Sequence, residues 1–169
     1  KEAARLLETA ANERHLIALL DFDDFKLTND VHGQTTGDEI LRKFGQYLRG
    51  SLDATAVIAR QGGDEFLICL PDSEMNAAGL LSALCLADQA IDTHSSSFIL
   101  QLSGGMASYP EHGEMLDVLL RKADLALNQA KRAGKQQCLC YDDSMQEPVQ
   151  RRHAIVDGLK RALPDQHLG

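Results

Sequence analysis

The chain has 169 residues, 44% of them hydrophobic and 25% charged, enough for one domain with a buried core and an argument against disorder except at the ends. Its net charge of -8 makes nucleic acid and anionic membrane surfaces poor default partners. No apolar run approaches the roughly 20 residues that span a bilayer, and the charged opening KEAARLLETAANERH does not read as a signal peptide.

Residues 1–14 predict a helix, with Ala3, Leu6, Leu7 and Ala10 on one face. HLIALLDF (15–22) is a continuous apolar run ending in an acid, which reads as a buried strand. A short helix follows within DDFKLTNDVHG. Thr36 and Glu39 have capping-box spacing, and Ile40, Leu41, Phe44 and Leu48 form the apolar face of the helix they would open. TAVIAR (55–60) and EFLICLP (65–71) are two strands. The Gln61-Gly62-Gly63-Asp64 run between them reads as a hairpin turn.

Beyond Pro71 the pattern predicts a helix over 72–92, a strand over 97–109, a long amphipathic helix over 113–134 closed by Gly134, and a last strand over 135–142. This β-α-α-β-β-α-β-α-β order gives an α/β (α+β) expectation, a mixed central sheet flanked by helices with one hairpin. Residues 142–169, with Pro148 and an amphipathic stretch through Leu163, read as an appended linker and helix. Cys69, Cys85, Cys138 and Cys140 lack zinc-site spacing and read as reduced, mostly buried thiols of a cytoplasmic protein. The six histidines show no paired spacing.

The chemistry concentrates in two acidic runs. RQGGDEF (60–66) sets Asp64 and Glu65 just after two glycines, at a strand edge with little side-chain bulk before them. Asp21, Asp23 and Asp24 close the first strand. If that strand lies beside the hairpin, Asp21 and Asp64 converge into a pair suited to Mg²⁺, which takes one or two carboxylates together with phosphate oxygens. Such a site serves phosphoryl or nucleotidyl transfer. Lys26, Lys131 and Lys135 are the cations expected around a triphosphate, and N–H groups at the start of the short helix over 23–31 can cradle phosphate.

Each feature also has a plain structural reading. An acid pair after two glycines is an ordinary solvated turn. The 21–24 acids suit a helix N-terminus, and lysines suit a helix C-terminus. A calcium loop fails because Phe25 and Lys26 stand where a ligand and a glycine belong, and no P-loop motif is present.

Together the pieces resemble the GGDEF family of diguanylate cyclases. GGDEF (62–66) is the family signature. DFDDFKLTNDVHGQTTGDEIL (21–41) is similar to its D-x-D-x-F-K-x-x-N-D segment, and RKADLALNQAKRAGKQQ (121–137) to its K/R-A-D-x-A-L segment. The resemblance spans about residues 15–141. It implies a GGDEF domain over 1–141, shortened at its N-terminal edge, with a palm-like nucleotidyl cyclase fold. It also implies condensation of two GTP into cyclic di-GMP and pyrophosphate, with Mg²⁺ (or Mn²⁺) across a head-to-tail homodimer.

By position, the resemblance implies Asp21, Asp64 and the Phe22 carbonyl as metal ligands, and Glu65 near the attacking 3′-hydroxyl. Asn29 and Asp38 match the guanine readers, with Phe25, Lys26, Lys131 and Lys135 as further substrate contacts. Four departures stand out. Gln34 replaces a usual histidine, Gln61 replaces a common aromatic, Lys135 replaces a usual arginine and so lacks its planar fork, and residues 53–56 read DATA where the inhibitory R-x-x-D motif would lie. The tail resembles the approach to an EAL phosphodiesterase domain, so a tandem GGDEF–EAL protein is expected, with a sensor domain upstream and membrane tethering confined to parts outside this domain. A GTP-binding module that regulates such a phosphodiesterase without turnover is the alternative expectation.

Overall fold

The computed structural model describes Arg5, Glu8, residues 13–73 and residues 75–146. The expected helix over 1–14, all but its last two residues and Arg5 and Glu8, and the appended helix after residue 146 lie outside the described residues.

Strand β1 (His15–Phe22) is the centre of a five-stranded sheet. Helices α1 (Phe25–His32) and α2 (Gln34–Ser51) follow, then the hairpin β2 (Val57–Gly62) and β3 (Glu65–Pro71). After helix α3 (Ala77–Leu86) come β4 (Gln89–Asp92), β5 (Ser97–Leu100), β6 (Leu102–Tyr109), helix α4 (Leu116–Arg132) and β7 (Cys138–Cys140). The sheet order is β2-β3-β1-β6-β7. All neighbours are antiparallel except β6 and β7, so the sheet is mixed, as the sequence implied.

A strand buried on both faces needs a continuous run of apolar side chains, and β1 supplies one from Leu16 to Leu20. Leu16, Ala18, Leu20 and Phe22 point into a core shared with Phe25 of α1, Ile40, Leu41, Phe44 and Leu48 of α2, and Leu81 of α3. The alternate Ile17 and Leu19 point into a second core, built with Leu119, Ala123, Ala126 and Leu127 of α4. Helix α4 can lie close because β6 carries Gly105 beneath it. A Cβ there would stand 2.1 Å from the Ala123 carbonyl oxygen and 2.2 Å from the Leu127 nitrogen.

Three local expectations are corrected. The helix over 72–92 ends at Leu86, and residues 89–92 form a strand with alternating burial, because Gln89 and Ile91 are buried while Ala90 and Asp92 are exposed. The strand over 97–109 is two strands in different sheets: β5 pairs only with β4, and the chain breaks at Gln101, whose carbonyl accepts from the Asp23 N–H at 2.8 Å. The capping box is absent. Helix α2 begins at Gln34 after Gly33, and Glu39 instead accepts from the His94 N–H at 3.0 Å and bonds its Nδ1 at 2.5 Å, tying the β4–β5 turn to α2.

Candidate functional site

The hairpin answers to its glycines. Gly62 and Glu65 pair across it, leaving Gly63 and Asp64 as a two-residue turn, and both glycines have positive φ (108° and 55°). A Cβ at either would meet nothing within 4 Å, so the requirement is backbone conformation and not room. Arg60 fastens the turn: its Nε donates to the Gly63 carbonyl at 2.8 Å.

Because β3 pairs with β1, the turn delivers its acids to the end of β1. Asp21 lies opposite Glu65 in the ladder, and the Asp21 carboxyl also meets that of Asp64. Burial, and then the contact with Asp64, push the Asp21 carboxyl up to about 6 from 3.8, against the lowering influence of Lys131. Burial also raises Glu65, with the Asp21 charge adding to it. Lys131, at the end of α4, donates to Asp21 Oδ2, while Asp21 Oδ1 is buried with no hydrogen-bond partner.

That orphaned oxygen, set among acids that oppose one another, is the signature of a place that fits a cation. Among the described residues no group of three or more His, Cys, Asp or Glu is placed to hold a metal by side chains alone. Two carboxylates and a carbonyl, completed by phosphate oxygens and water, are nevertheless a normal donor set for Mg²⁺.

A second pair of residues sits further along. Asn29 of α1 packs against Gly37 of α2, where a Cβ would fall 1.8 Å from Asn29 Oδ1. This amide oxygen is also buried without a partner. Asp38 is exposed, and its Oδ1 lies 3.8 Å from the Arg60 guanidinium. It borders a groove of about 730 Å³ between α2 and β2, walled also by Arg42, Arg49, Arg60, Phe66 and His94. Asp21 and Asp64 are not among the walls of this groove.

The structure thus gathers Asp21, Asp64, Glu65 and Lys131 at one point. Lys135 stands beside them through Asp24, 2.9 Å away, and not through Asp21. Lys26 is exposed on α1. The Phe25 ring is buried and stacks on Phe22 with centroids 5.5 Å apart, so only its backbone is left to meet a substrate. The 21–24 acids do not cap α1: Asp24 precedes it in a left-handed conformation with no side-chain cap bond, and Asp23 turns into the interior. Two residues escaped the sequence reading, Arg60 and Gly37. A glycine inside an amphipathic helix is the signal that could have marked Gly37 as a close approach.

The family model described as "Diguanylate cyclase, GGDEF domain" matches residues 1–137. The chain is 34% identical over 177 residues to the biofilm architecture maintenance protein MbaA of Vibrio cholerae, covering 98% of this chain and 22% of MbaA. It is 35% identical over 132 residues to the diguanylate cyclase DgcZ of Escherichia coli, covering 75% of this chain and 44% of DgcZ. The solved GGDEF domain of PA1120 (YfiN or TpbB) from Pseudomonas aeruginosa superposes with a TM-score of 0.74 at 30% identity, over 83% of this chain and 91% of that one. The chain therefore spans less than half the length of these two curated relatives.

Proposed function

The chain belongs to the diguanylate cyclase GGDEF domain family, and from that premise we propose that it condenses two GTP into cyclic di-GMP and pyrophosphate across a homodimer. The observation that carries this reading is the convergence of Asp21 and Asp64, with one Asp21 oxygen buried and unpartnered.

In this reading Asp21, Asp64 and the Phe22 carbonyl hold Mg²⁺. When bound, the ion neutralises charge on the triphosphate and lowers the pKa of the attacking hydroxyl. Lys131 exchanges its bond to Asp21 for a phosphate oxygen, and Lys135 and Lys26 add charge along the triphosphate. Asp38 accepts from the N1–H and amino edge of guanine, while Asn29 presents its free amide oxygen and its NH₂ to the same base. Glu65, whose proton affinity is raised by burial and by the Asp21 charge, is the proposed acceptor of the 3′-hydroxyl proton. Each half-site orients one nucleotide, so the ring closes only when a second copy brings the other. An EAL domain beyond residue 169 and a sensor domain before residue 1 belong to the same proposal, as does action on the cytoplasmic side, where GTP is supplied. Among the described residues no helix is long and apolar enough to cross a membrane.

The test is incubation of this domain, fused to a dimerising coiled coil, with GTP and Mg²⁺, followed by chromatography of the nucleotides. Cyclic di-GMP that vanishes in Asp64→Asn supports the cyclase. GTP binding without product from a confirmed dimer replaces it with a regulatory nucleotide-binding module.

A further inference from the structure

Asp23 is the acid of the β1–α1 junction that the reading above leaves unused. It is buried (8% exposed) and fully engaged. Its Oδ1 accepts from Ser103 Oγ of β6 at 2.7 Å, and its Oδ2 from the Gln136 N–H at 3.1 Å. The Ser103 hydroxyl oxygen accepts from the same Gln136 N–H at 3.2 Å. Its own N–H is tied to the Gln101 carbonyl. One carboxylate thus joins β1, β6 and the turn between α4 and β7.

That turn is unusual. Gly134, Lys135 and Gln136 are consecutive residues with positive φ (123°, 64° and 47°), a conformation side-chain-bearing residues adopt only when their surroundings impose it. The surroundings are visible. The Lys135 N–H donates to the Ala130 carbonyl at 3.0 Å, and the Gln136 side chain donates to the Leu86 carbonyl and to Asp88 Oδ1. The Gln137 side chain reaches back to the Ala130 carbonyl at 3.2 Å. Asp23 grips the turn from the strand side. Its neighbour Asp24, held left-handed at φ 57°, grips Lys135 through the side chain. Two successive acids of the β1 end therefore clasp two successive residues of the turn.

We propose that Asp23 is a positioning residue: by fixing the left-handed turn through the Gln136 N–H and Ser103, it holds Lys135 in register with the acids of β1, and so sets the affinity of the site for a nucleoside triphosphate. The second half of this statement rests on the nucleotide reading above; the first half does not. Asp23 contacts no substrate in this scheme. It acts through the turn.

Two measurements separate the halves. Amide hydrogen exchange at residues 135–137 needs no nucleotide. Asp23→Ala speeds exchange there while leaving β1 and β3 protected, and Asp23→Asn, which keeps an acceptor oxygen, restores most of the protection. Unchanged exchange at 135–137 in Asp23→Ala overturns the proposal. The other measurement is a double-mutant cycle on GTP affinity, read by calorimetry with Mg²⁺. Asp23→Ala weakens GTP about tenfold in the wild-type background and less than twofold in the Lys135→Ala background, because the residue it positions is already gone. Equal losses in both backgrounds overturn it. If the wild type binds no GTP, the nucleotide reading and the affinity half fall together, and the exchange experiment alone decides the role of Asp23 in the turn. If Asp23→Ala does not fold, Ser103→Ala carries both measurements, since it removes the second acceptor for the Gln136 N–H.

Discussion

Asp21 of β1 and Glu65 of β3 are direct cross-strand partners, in the last pair of the ladder before the hairpin turns. Like charges placed opposite one another destabilise a sheet, and Asp64 adds a third carboxyl within reach of Asp21. The fold keeps this arrangement at a cost in its own stability, a cost that the proposed cation would offset.

The first prediction concerns that cost. Asp21 has a raised folded pKa, so the stability it contributes belongs to its protonated form; it is complete below 3.8 and lost as pH rises through about 6. Asp21→Asn is therefore expected to be more stable than the wild type at pH 8 in EDTA, by about 1 kcal/mol once partial solvent access is allowed for. It should also lose GTP turnover by at least about a hundredfold. Thermal melts and product chromatography check the two outcomes.

The pH dependence of cation binding follows from the same group. A metal displaces the Asp21 proton, so Mn²⁺ affinity, read by electron paramagnetic resonance, is expected to climb with pH up to about 6 and level off above it. In Asp21→Asn the residual affinity should be flat over that range. A wild-type profile that is also flat from pH 5 to 7 refutes the assignment.

Gly37 makes the proposed guanine contact testable without touching Asn29 or Asp38. A methyl group there would stand 1.8 Å from Asn29 Oδ1 and displace that side chain. Gly37→Ala is expected to weaken GTP about tenfold and to narrow its preference over ATP, as nucleotide competition would show. Gly50→Ala is the control in the same helix. Its Cβ enters open space, so it should bind nucleotide normally and gain about 0.5 kcal/mol of stability.

Gly105 tests the packing of α4. The atoms its Cβ would strike belong to the backbone of α4 and cannot swing aside. Gly105→Ala is expected to cost about 3 kcal/mol in denaturant unfolding, and to lower turnover because α4 carries Lys131.

Much of the fold was legible in the sequence. The apolar run of β1, the periodicity of α2 and α4, and the Gly-Gly turn each follow from local pattern, since burial on two faces, burial on one stripe and a left-handed turn demand different residues. The region 72–109 was less legible. Ala and Leu there favour helix, yet Gln89–Asp92 alternates in burial because it pairs with β5, a partner that local propensity does not see.

The sequence by itself determined the chemistry on offer: which acids, lysines and glycines exist, in what order, and on which elements. Only the tertiary structure decided how they are used. Asp21, Asp23 and Asp24 are near-identical neighbours in sequence, yet one opposes Asp64 and Glu65, one is sealed against Ser103 and Gln136, and one faces solvent and Lys135. The reason is physical. A carboxylate's protonation, partners and role depend on the strands and turns brought against it, and these come from positions some 40 to 110 residues away along the chain.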